Sequence, residues 1–169
     1  QWYGNLRLDT GLLTIEDRVI SLPAGVLGTY DRTAGHQRGI QSWHWIAAAG
    51  HARDVATGEI VPIGIQIAKD QIGARPRVES KKYAVWVRSQ LHKIPYVAFD
   101  FEITDPSKRL TGEWRVTSPV DQRQTQDQSW VDLKFTPMHH RLELKRLLIA
   151  KTDFNQYYGE VSGELNING

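Results

Sequence analysis

Val97-Ala98-Phe99-Asp100-Phe101-Glu102-Ile103-Thr104 carries an apolar residue at every second position, with a small or polar one between. The same period returns in Val131, Leu133 and Phe135, set against Asp132, Lys134 and Thr136. It returns again in Leu142, Leu144 and Leu148, and once more in Val161, Gly163, Leu165 and Ile167. Successive side chains on a strand point to opposite faces, so each run has one buried and one wetted face. Antiparallel sheets produce this pattern, whereas parallel strands, covered on both sides, give unbroken apolar runs. From residue 41 to residue 169 the pattern dominates and no convincing helix interrupts it. The fold class is therefore all-β and antiparallel. Many strands in one small chain leave two arrangements that manage their edges, a barrel or a sandwich.

Working outward, residues 12–20 suit a strand, because Ile15, Val19 and Ile20 are β-branched. Leu22-Pro23-Ala24-Gly25 is a turn, and residues 29–39 (TYDRTAGHQRG) are polar and glycine-punctuated, hence a loop. Residues 41–49 read as a strand with Trp43, Trp45, Ala47 and Ala49 on one face and Ser42, His44, Ile46 and Ala48 on the other. A hairpin loop at residues 54–58 leads into residues 59–68, whose Val61, Ile63, Ile65 and Ile67 share a face. Residues 78–88 form the next strand, turned at Ser89-Gln90, and further strands fall at 95–104 and 113–118. Residues 120–128 (VDQRQTQDQ) are the most hydrophilic segment and read as a mobile excursion. Residues 129–136 and 140–150 read as a hairpin around Pro137-Met138-His139, and residues 152–168 close the sequence. That makes about eight or nine strands with little helix.

The 169 residues suffice for one domain with its own core. Cysteine is absent, which excludes disulfides, thiolate chemistry and cysteine-ligated zinc, and fits a cytoplasmic location. The net charge of +2 comes from lysines and arginines scattered among acids, not from the one-sided basic face of a nucleic-acid binder. Its six tryptophans lie on strands without the glycine-aromatic signature of an RNA-binding sheet. No apolar stretch approaches the roughly 20 residues of a membrane-spanning helix. The chain opens at Gln1 and stops at Asn168-Gly169, a dipeptide that favours a hairpin turn, so a strand is expected to follow it.

Seven short motifs in order carry a family resemblance. They are Leu22-Pro23-Ala24-Gly25; Tyr30-Asp31-Arg32 with Gly35; Trp43-His44-Trp45 with Gly50; Leu91-His92-Lys93-Ile94; Trp114-Arg115-Val116-Thr117-Ser118; Val131 through Pro137; and Phe154-Asn155-Gln156-Tyr157-Tyr158-Gly159 with Ser162-Gly163. The chain resembles the C-terminal half of a bacterial family known as domain of unknown function 2804. That family is similar to lipocalin-like barrels of the carotenoid hydratase and tocopherol cyclase type. The resemblance implies a calycin β-barrel and an apolar ligand, and transfers no catalytic residue. Residues 1–169 are then expected to form a single β-barrel domain, half of a longer chain, with a missing N-terminal half or a second chain as pairing partner.

Candidate chemistry is sparse. Six histidines (His36, His44, His51, His92, His139 and His140) lack zinc-motif spacing, so no metal is expected. No nucleophile elbow, phosphate loop or dinucleotide fingerprint is present, so no cofactor is expected either. Asp31, Arg32 and His36 fall in one glycine-containing stretch before the Trp43 strand. An Asp-Arg pair in a loop is ordinarily a local salt bridge worth little. The functional alternative is a polar barrel mouth, with Trp43 and Trp45 as the apolar wall beneath it. Trp43 and Trp45 are placed inward because small Ala47 and Ala49 share their face; His44 would then face outward. Asn155 and Gln156, uncharged hydrogen-bonders between Phe154 and Tyr157, complete the candidate ligand set. The expected function is binding of a hydrophobic or amphipathic small molecule. The alternative is a cofactor-independent cyclase, hydratase or isomerase that confines an apolar isoprenoid- or polyketide-like substrate and protonates or polarises it. A third reading is a structural half-domain.

Overall fold

A computed structural model describes residues 2–32, 43–70, 82–101, 112–124, 127–147 and 150–168. Strand pairing organises almost all of them, and every pairing is antiparallel. The chain divides into two compact units, Gln1–Ile94 and Pro95–Asn168.

In the first unit β1 (Trp2–Leu8) pairs with β4 (Val26–Arg32), and between them β2 (Gly11–Ile15) and β3 (Arg18–Leu22) form a hairpin. Residues 12–20 are thus two strands, not one, turned at Glu16-Asp17 with Glu16 at φ 53°. The expected loop over residues 29–39 is also corrected, since Thr29–Arg32 extends β4 opposite residues 2–5 of β1; residues 33–42 lie outside the described residues. A four-stranded meander follows: β5 (Trp43–Arg53), β6 (Ile60–Asp70), β7 (Lys82–Val87) and β8 (Gln90–Lys93). The β5–β6 loop forms as expected. Asp54 Oδ1 accepts hydrogen bonds from the backbone N–H groups of Ala56 and Thr57, and Gly58 takes the positive φ of 75° that ends the turn. The β7–β8 turn sits one residue earlier than expected, at Arg88-Ser89, with Arg88 at φ 56°.

The second unit is one sheet in the order β12-β11-β10-β9, built from β9 (Ala98–Asp100), β10 (Trp114–Thr117), β11 (Trp130–Leu147) and β12 (Ala150–Asn166). Residues 120–128 are not simply an excursion, because Val120–Gln124 forms a short helix, α1, with Gln122 buried. The expected hairpin at Pro137-Met138-His139 is replaced by a bulge within one 18-residue strand. Pro137 pairs with Gly159, His139 with Tyr158, and Met138 is the extra residue. A bulge shifts alternation by one, so odd-numbered Val131, Leu133 and Phe135 share a face with even-numbered His140, Leu142 and Leu144. Proline, lacking an N–H, is suited to such a site.

Among the described residues twelve strands stand where eight or nine were expected. Among the described residues, no sheet pairs its first strand with its last.

Register assigns the faces of the β5–β8 sheet. His44, Ile46, Ile63, Ile65, Ile67, Tyr83 and Val85 lie on one side, and Trp43, Trp45, Ala47, Gln66, Ala68, Ala84 and Trp86 on the other. Ile65, Ile67, Tyr83 and Val85 are buried, so the deepest apolar packing is on the His44 side. In the second unit Val116, Val131, Leu133 and Phe135 are the buried apolar residues of the corresponding face. Full burial of such side chains contributes about 1.5–3 kcal/mol each.

Candidate functional site

The tryptophan face of β5–β8 gathers two of the candidate residues. Trp43 and Trp45 are 46% and 37% exposed, an unusual degree of openness for large aromatics on a sheet. Around them are small side chains: Ala47 and Ala49 on β5, Gly64 and Ala68 on β6, and Ala84 on β7. Gln66 lies among these and is only 2% exposed. Its Oε1 accepts a hydrogen bond from Trp45 Nε1 at 2.8 Å, while its Nε2 is buried without a partner. The amide orientation follows from chemistry, because an indole N–H can only donate. Gln66 was not legible as a site residue from sequence. A glutamine in an isoleucine-rich strand (Ile63, Ile65, Gln66, Ile67) was the one available signal.

His44, on the opposite side of β5, is half-buried. Burial holds its imidazole below the ordinary histidine value, and Lys69, its register partner on β6, pushes the same way. A histidine neutral in the fold takes up a proton on unfolding, so acid below the ordinary histidine value of about 6.5 favours the unfolded chain. Stability should therefore decline as pH falls from 7.5 to 5.5, and His44→Gln should flatten that decline. Urea midpoints at the two pH values measure it; an unchanged slope in the variant would exclude His44.

The remaining first-unit candidates are placed only in part. Asp31 and Arg32 end β4, which neighbours β5 in space. His36 lies outside the described residues.

In the second unit Asn155 and Gln156 are adjacent on β12 and therefore face opposite ways. Asn155 Nδ2 donates to Asp153 Oδ1 at 2.9 Å, and Asn155 Oδ1 lies 3.1 Å from His140 Nε2. Since the amide nitrogen serves the carboxylate, its oxygen accepts from His140 Nε2. The His140 ring stacks on Tyr157, with centroids 4.4 Å apart and planes at 15°. Tyr157 meets Trp114 edge-to-face at 4.5 Å, and Trp114 also contacts Phe101 and Phe135. His140 thus ends a polar chain and borders an aromatic wall. Gln156, opposite Arg141, stands on the other face.

An open depression of about 350 Å³ beside α1 is lined by Tyr96, Pro119, Asp121, Gln122 and Gln128 and contains none of the candidate residues. Among the described residues no three histidine or acidic side chains converge on a common point, and no helix is long and apolar enough to cross a membrane.

Over residues 4–169 the chain matches the family described as domain of unknown function 2804 (DUF2804). The chain belongs to that family. Comparison with curated proteins and with solved structures gives no match.

Proposed function

We propose that this chain is a cytoplasmic binding module for a hydrophobic or amphipathic small molecule, held within a lipocalin-like barrel. The observation that carries the reading is the pair of open indoles, Trp43 and Trp45, on a sheet face where small Ala47, Ala49, Gly64, Ala68 and Ala84 lie beside Gln66 and Trp86. Rigid rings beside small residues offer an apolar ligand a large contact area and room to lie against it. Asp31, Arg32 and His36, at and beyond the end of β4, are proposed as the polar mouth. A fatty acid or terpenoid should quench tryptophan fluorescence, and replacing Trp43 and Trp45 together with Phe should abolish that quench. Arg32→Ala should weaken binding without unfolding the protein. A double variant that quenches as well as the parent would move the pocket elsewhere.

A second reading, a cofactor-independent cyclase, hydratase or isomerase, is favoured by the His140–Asn155–Asp153 chain. An imidazole oriented through Nε2 beside an aromatic wall has parts suited to proton transfer on an apolar substrate.

A further inference from the structure

β12 is the outermost strand of its sheet, and among the described residues it pairs only with β11. Its 17 residues therefore present a row of main-chain N–H and C=O groups along the opposite edge, a template for a further strand. Proteins that leave an edge strand single blunt it with proline, a bulge or shortness. β12 has no proline, the extra residue at the bulge belongs to β11, and its one lysine, Lys151, stands near its start. The edge is also self-complementary. A two-fold axis normal to the sheet keeps each face on its own side, so only residues of one face meet across it. Centred on Tyr158, the midpoint of the strand, the axis sets Gln156 against Glu160 and Thr152 against Glu164. Each carboxylate then meets an uncharged side chain that can donate a hydrogen bond, twice over by symmetry. On the other face Asp153 meets Gly163 and Lys151 meets Leu165, so no like charges are opposed. Tyr158, 47% exposed, meets its own copy at the axis.

We propose that β12 pairs antiparallel with β12 of a second copy of this chain, joining two four-stranded sheets into one continuous sheet. Pairing along the whole strand forms about 16 main-chain hydrogen bonds, against the roughly 10 of an ordinary protein interface. Register is fixed by the glutamates as well as by length. Moving the centre one residue either way shortens the ladder and sets both Glu160 and Glu164 against Ala150, Phe154 or Tyr158 instead of a donor. The pairing is independent of any small-molecule ligand, and it gives Gln156 a partner across the interface.

The whole chain tests this directly. By light scattering at about 100 μM, above the micromolar or tighter Kd of such an interface, the parent should show twice the 19.3 kDa of one chain. Because the chain has no cysteine, single-cysteine variants report the register cleanly. Oxidation should turn Tyr158→Cys into a covalent dimer, since its two copies meet at the axis. Thr152→Cys and Glu164→Cys should cross-link when mixed before oxidation, and neither should do so alone. Two copies of residue 152, or of residue 164, stand roughly 40 Å apart in this register. Circular dichroism identifies the folded variants, and the exposed positions 152 and 164 carry the test if Tyr158→Cys does not fold. A parent mass of 19.3 kDa overturns the inference and leaves the β12 edge to a strand of another origin. A dimer in which the mixture cross-links no more than either variant alone overturns it too, because the two chains then meet on another surface.

Discussion

Gly163→Ala should lower the stability of the chain by about 4 kcal/mol, because two separate costs meet at that residue. Gly163 stands in β12 opposite Leu133 with φ at 136°, a conformation that side-chain-bearing residues rarely adopt. A Cβ placed there would fall on the carbonyl oxygen of Asp132, part of the β11 backbone and unable to swing aside. Gly159 offers an internal comparison. Its Cβ would also meet a backbone oxygen, that of Thr136 at the bulge, but no left-handed conformation adds to the cost. Gly159→Ala should therefore cost less, about 2 kcal/mol. Urea unfolding followed by tryptophan fluorescence gives both values. A Gly163→Ala midpoint close to that of the parent would mean that β12 does not approach β11 as described.

Ser118→Ala should cost about 3 kcal/mol, the largest effect expected for removing a single oxygen atom from this chain. Ser118 is 1% exposed, and its Oγ is a junction. It donates to the Tyr96 carbonyl at 3.0 Å, and accepts from the Val131 N–H at 3.1 Å and from Gln122 Nε2 at 3.3 Å. Gln122 Nε2 also donates to the Ser129 carbonyl at 2.8 Å, and Arg123 pairs with Asp132, so α1 is tied to the start of β11 from both sides. Alanine would leave the Val131 N–H and the Tyr96 carbonyl buried with one partner fewer each. Thr117→Ala, one residue away and outside the junction, should shift the urea midpoint much less. Equal shifts for the two variants would show that the junction is not a unit.

The same residues explain why residues 120–128 could not be read from sequence alone. VDQRQTQDQ has the composition of solvated chain, and nothing local says that Gln122 will be buried. Its burial depends on Ser118 and Ser129, which the pairing of β10 with β11 places within reach. Strand existence was different. The apolar faces of β6 and of the first part of β11 were legible because alternation is a property of the strand itself. The turn at residues 54–58 was legible for a similar reason, as Asp54 and Gly58 carry its hydrogen bonds and its positive φ.

Sequence by itself determined that this chain is antiparallel β, and it picked out Trp43, Trp45 and Asn155 as residues worth locating. Membership of the DUF2804 family was also legible in its motifs. Tertiary structure alone decided what happens at Pro137-Met138-His139. A switch of apolar parity from Phe135 to Leu142 is compatible with a turn or with an inserted residue. The choice fell to the bulge because β12 runs long enough, from Ala150 to Asn166, to pair on both sides of it. Tertiary structure also decided which side of β5 is deeper, and that Gln66 would lie buried under Trp45 with half its amide unused. Alternation tells which residues share a face; only the partners packed against each face decide which of the two loses its water.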